Sequence, residues 1–135
     1  MNSSKSLVLT LLILLVPGMA AALEEPDYKV IGQYDDFELR YYDSYIVAEV
    51  DVDGDFGDSG NSAFRILAGY IFGDNAASEK MAMTAPVASQ PAELTTYSFV
   101  MEKKYSLETL PAPNDDRIRI RVMPERTMAV RQYSG

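Results

Sequence analysis

An α+β fold, antiparallel strands with one packed helix, follows from three features of the sequence. Apolar side chains alternate with polar ones over most of the chain from Tyr28 onward, one stretch at 61–72 has helical spacing instead, and turn-forming residues separate the runs. At 135 residues and 47% hydrophobic content, the chain has material for one core and not two.

Residues 1–22 read as a secretory leader: Lys5 in a short n-region, an apolar run from Leu7 to Val16, Pro17-Gly18, then Ala20, Ala21 and Ala22 before Glu24-Glu25. The run is short for a membrane span, which needs about 20 residues, so no stable span is expected after cleavage. Cleavage after Ala22 leaves one domain, 23–135, exported to the periplasm or beyond the cell. There is no twin-arginine pair and no lipobox cysteine, which favours the general secretory route.

Phe37, Leu39 and Tyr41 alternate with Glu38, Arg40 and Tyr42. After an Asp43-Ser44 turn, Ile46, Ala48, Val50 and Val52 share one face, with Val47, Glu49, Asp51 and Asp53 on the other. Both runs are half-buried antiparallel strands. The acidic run Asp51 to Asp58 reads as a solvated turn. A calcium loop of the EF-hand kind needs glycine and glutamate at its sixth and twelfth positions, where this chain has Phe56 and Ser62.

Asn61 or Ser62 caps the helix, Phe64, Leu67, Ala68 and Ile71 form its apolar stripe, and Gly73 stops it. Gly69 lowers helix propensity, which points to close packing or a ligand against the backbone. Lys80 to Val87 reads as a strand with Met81, Met83, Ala85 and Val87 on one face and Pro86 at an edge or bulge. Tyr97–Met101 is another strand, Leu110–Asp116 a loop, and Thr127–Tyr133 a last strand. In Arg117–Met123, Ile118, Ile120 and Val122 point inward and three arginines outward. The expectation is one helix and about seven strands.

The composition excludes much chemistry. Without cysteine or histidine there are no disulfides, thiolate nucleophiles, imidazole bases or histidine-ligated metals. No lysine is spaced to serve a serine, the carboxylates lie on strand exteriors and turns, and no phosphate-binding glycine loop is present. A net charge of −8 disfavours nucleic acid. A binding module fits better than an enzyme. Arg117, Arg119 and Arg121 form the single basic row, able to receive carboxylates through forked hydrogen bonds, although such a row is also what the wet face of a strand looks like.

The segments YDDFELRYY (34–42), AFRILAGYIFGDN (63–75), EKMAMTAPV (79–87), YSFVM (97–101), YSLETLPAPN (105–114) and AVRQYSG (129–135), in this order, resemble the SOUL family of haem-binding proteins. The resemblance implies a strongly twisted antiparallel sheet approaching a distorted barrel, built from two similar halves that each carry a helix. This is the architecture of gyrase-inhibitor-like regulator ligand-binding domains. It implies non-catalytic binding of haem or another tetrapyrrole in an apolar groove beside the helix. That groove would take Asn61, Phe64, Arg65 and Ala68, with Arg117, Arg119 and Arg121 as candidate propionate partners. Leu67 and Ile71 would anchor the helix while Phe64 and Ala68 lie at the groove's edge. No histidine is available as an axial ligand, which leaves apolar contact, tyrosine or methionine.

Members of the family usually continue beyond the point matching Gly135, so the second half reads as incomplete and self-association through open sheet edges is expected. Two other readings fit the same architecture. One is a module for amphipathic or aromatic small molecules. The other is an enzyme acting on a tetrapyrrole, which requires a positioned acid such as Glu79 or Glu102 in the groove.

Overall fold

A computed structural model describes the backbone of residues 23–53 and 56–133. The leader expected at 1–22 lies outside the described residues, as do Asp55 and the side chain of Asp58 from the acidic loop. The elements run β1 (Tyr28–Gln33), β2 (Glu38–Tyr42), β3 (Tyr45–Val52), α1 (Phe56–Ile71), β4 (Val87–Gln90), β5 (Thr95–Val100), β6 (Arg119–Met123) and β7 (Arg126–Val130). The fold is α+β, as the alternation predicts.

The strands form two antiparallel sheets, β1-β2-β7 and β4-β5-β3-β6, and neither closes into the expected barrel. The sheets are nevertheless joined by a shared ribbon. Partner residue numbers add to the same total in the β2–β7 and β3–β6 ladders, so the register runs unbroken from Glu38↔Val130 to Glu49↔Arg119. Asp43-Ser44 stands opposite Pro124-Glu125 at the join, where proline cannot donate a ladder bond.

The core lies between α1 and the four-stranded sheet. Ala48, Val50, Tyr97 and Phe99 meet Ala63, Leu67, Tyr70 and Ile71, closed by Met81, Leu110 and Ile118. Leu67 and Ile71 anchor the helix as expected, but Ala63 and Tyr70 complete the stripe in place of Phe64, which is 48% exposed. The helix also begins earlier than the sequence suggests, so Asn61 and Ser62 are exposed residues within it and not its cap. Packing accounts for part of this extension: a Cβ on Gly60 would stand 3.3 Å from the Tyr97 hydroxyl, so glycine lets this turn lie close over β5.

At the other end Gly73 has φ +121°, and the Gly73 and Asp74 amides donate to the Tyr70 and Gly69 carbonyls, a Schellman closure. Gly69 itself has open space where a side chain would stand, so close packing is not the reason for it.

Lys80–Pro86 is not a strand. It is extended and pinned by separate bonds: the Met81 amide to the Ile71 carbonyl, the Thr84 hydroxyl to the Val100 carbonyl, and the Ala85 amide to the Glu24 carbonyl. The Ala85-Pro86 bond is cis, and only from Val87 does pairing with β5 begin. Met81 is buried as expected, whereas Val87, like Val122 in β6, is largely exposed.

Candidate functional site

Asn61, Phe64 and Ala68, at i, i+3 and i+7, share a face of α1 beside its buried stripe, with Arg65 next to them, and Phe72, the residue just past the helix, continues the row at i+11 with its amide donating to the Ala68 carbonyl at 2.9 Å. Asn61 and Arg65 are exposed, Phe64 and Phe72 are 48% and 61% exposed, and Ala68 is buried. The Phe64 ring meets Phe99 edge-on at 5.5 Å, and Phe99 is paired with Val87 across the ladder, which carries the apolar surface from the helix onto the sheet edge. Small residues at Ala68 and Gly69 leave the strip between the two phenylalanines flat. Sequence reasoning placed four residues of this face and missed Phe72, which its own spacing from Phe64 and Ala68 could have supplied.

The arginine row is elsewhere. Ala48 and Val50 face the helix, so Glu49 and its ladder partner Arg119 project from the opposite face of the sheet, with Arg121 beside them. The structure therefore does not bring Arg119 and Arg121 to the helix face. Both are engaged: Arg121 forks onto Glu49 at 3.0 and 3.1 Å, and Arg119 reaches Glu49 at 3.2 Å and Asp51 at 2.5 Å. Arg117 is bound to Asp115 at 2.7 Å. Glu49, expected on a solvated exterior, is only 3% exposed, because the two guanidiniums cover it. The hydrogen bond from Arg119, with another from Thr96, lowers the Asp51 carboxyl to about 2. By contrast Arg65 has no ion pair among the described residues, so it is the one cation of the predicted set left open to a ligand.

Glu79 and Glu102 are not aimed at the helix face. Glu79 accepts the Tyr105 hydroxyl at 2.7 Å, and Glu102 accepts the Ala82 amide at 3.1 Å. Burial pushes the Tyr105 and Tyr70 phenols up to about 12, and each is further raised by Glu79. The Tyr70 hydroxyl donates to the Pro111 carbonyl at 2.6 Å, and buried Asn75 satisfies four backbone groups of the 70–79 turn. These contacts hold the helix end and its loop in shape.

A cavity of about 530 Å³ lies away from α1. It occupies the notch along the β2–β3 edge between the start of β1 at Tyr28 and the end of β5 at Val100, and Ser44, Tyr45, Ile46, Val100 and Met101 line it. No signal in the sequence marked it, because it depends on where two neighbouring strands stop.

One amphipathic helix lies over an antiparallel sheet, with an exposed aromatic pair beside its anchoring stripe. The sequence matches the model of the SOUL heme-binding protein family over residues 23–135. The chain belongs to the SOUL family. No curated protein matches it at a significant level. No helix among the described residues is long and apolar enough to cross a membrane.

Proposed function

We propose that this chain binds haem or a related tetrapyrrole without catalysing a reaction, on the α1 face that carries Phe64 and Ala68 and continues to Phe72 at the helix end. Family membership over nearly all of the described chain supports the ligand class. The observation that carries the site is the pair of phenylalanines, 48% and 61% exposed, on either side of a flat strip. A macrocycle face needs a broad apolar surface, and covering that strip removes it from water. Arg65 would receive a propionate through a forked hydrogen bond. Bound haem would supply an iron centre, and because the chain has no imidazole or thiolate, a phenol or thioether group would serve as its axial donor.

Saturable haem binding with a shifted Soret band is the expected result. Phe64→Ala and Phe72→Ala should each weaken it by about tenfold, and Arg65→Glu by several-fold. Haem retained no better than on an unrelated acidic protein, or equal affinity in all three variants, overturns the reading.

We also propose that residues 1–22 are removed during export, placing the domain 23–135 in the periplasm or outside the cell. The layout of the leader supports this, and a mature N-terminus at Leu23, found by intact mass after export, checks it.

A further inference from the structure

The notch between the two sheets takes no residue from α1, and its chemistry differs from that of the helix face. Its floor is apolar: Val100 and Met101 are 7% and 5% exposed, with Ile46 and the half-buried Tyr45 beside them. Its rim is acidic, with Glu24, Glu25, Asp27, Asp43 and Glu102 against Lys103 alone. Lys103 is already held by Asp27 at 2.7 Å, and its backbone amide donates to Glu24 at 3.0 Å. Glu25 and Asp43 have no hydrogen-bond or ion-pair partner for their side chains among the described residues.

We propose that this notch is a second binding site, for a small organic cation with an apolar body. A volume of about 530 Å³ falls within the range of small-molecule pockets, roughly 300–1,000 Å³. The floor would take the apolar body, with the Tyr45 ring available to a cation, and the rim would supply long-range attraction. Two other ligand classes fit less well. Among the described residues no three acidic side chains converge as a metal ion requires, so the negative charge is spread around the mouth and not focused on one point. A tetrapyrrole would bring its propionates against the carboxylates of the rim, which separates this site from the one on α1.

Two xanthene dyes of opposite charge, cationic rhodamine 6G and anionic fluorescein, probe this on the full chain by fluorescence polarisation. The cationic dye should bind at least about tenfold more tightly than the anionic one, and the preference should shrink as salt is raised. Glu25 and Asp43 are exposed, so the double variant Glu25→Gln/Asp43→Asn should fold normally, which circular dichroism verifies, and bind the cationic dye about tenfold more weakly. Saturating haem should leave dye binding unchanged. Equal affinity for the two dyes, no loss in the double variant, or displacement by haem each overturns the second site. The first two results are independent of whether haem binds α1.

Discussion

The two sheets share one continuous ribbon of backbone pairing, yet different forces hold them. At the centre of the helix-backed sheet the inner face is apolar and covered: Ala48 and Val50 are 0% exposed, as are Ala63 and Leu67 on the helix above them. In the three-stranded sheet no residue of β1, β2 or β7 is fully buried. Its better-covered face is built around a cation. Arg40 lies 4.2 Å above the Tyr28 ring, pairs with Glu38 at 2.5 Å and donates to the Tyr42 hydroxyl at 3.1 Å. The hydrogen bond to Tyr42 is the largest cause of the upward shift of its pKa, ahead of the opposing effect of burial, and the bond to Glu38 adds to it. Hydrophobic burial therefore stabilises one end of the ribbon, and polar contacts with half-covered aromatics hold the other.

The largest expected effect tests that division directly. Leu67→Ala removes a fully buried side chain from the centre of the core and should cost about 3 kcal/mol. Leu39→Ala, in the half-buried β2, should cost under about 1 kcal/mol. Urea unfolding of both variants measures the pair. Equal losses would mean that the three-stranded sheet has a core of its own.

A smaller contrast sets two tyrosines against each other. Tyr70 is 1% exposed and donates to the Pro111 carbonyl, so Tyr70→Phe leaves a buried acceptor unpaired and should cost about 1–2 kcal/mol. The Tyr41 hydroxyl bonds the Glu125 carboxylate at an exposed position, and Tyr41→Phe should not measurably change the unfolding midpoint. The pH dependence has a sign. Burial raises the Tyr70 phenol from 10.0 to about 12, so the folded state favours its protonated form. That stability is fully present below about pH 10 and is lost as pH rises through about 12. Unfolding free energies across this alkaline range should fall less steeply in Tyr70→Phe than in the wild type.

The helix-backed sheet was also the more legible region. Alternation over Ile46–Val52 located β3 and its core face, because a strand with one face under a helix must keep its apolar side chains in step. Gly73 marked the helix end, because few other residues accept its φ. Two features were hidden. The helix start was obscured because Gly57 and Gly60 read as loop, and the reason for Gly60 is a tyrosine 37 residues away in sequence. Glu49 read as exterior because a strand's own alternation does not show what lies on its second face. A signal was present in combination, since Glu49 and Asp51 repeat with the period of Arg119 and Arg121 and opposite charge. Helical spacing assigned Phe64 to the anchoring stripe and only the family resemblance set it on an outer face, whereas the notch depends on strand endings, which alternation does not resolve.

That charge ladder is the one place where the helix-backed sheet relies on ion pairs as the three-stranded sheet does, and it carries the smallest expected effect. Arg119 and Thr96 hold the Asp51 carboxyl at about 2, below its ordinary 3.8. A lowered folded-state pKa means stability that is present above about pH 4 and lost as pH falls through about 2. The Asp51 and Arg119 side chains are 29% and 50% exposed, so solvent screening reduces the contribution to about 1 kcal/mol. Unfolding free energies at pH 5 and near pH 2 should differ by about that much more in the wild type than in Asp51→Asn. If the acid loss is the same in both, the Asp51–Arg119 contact adds nothing to stability. Ion pairing on the outer face of the four-stranded sheet would then rest on Glu49 alone, which both arginines cover, beside the buried Val47 and Val100.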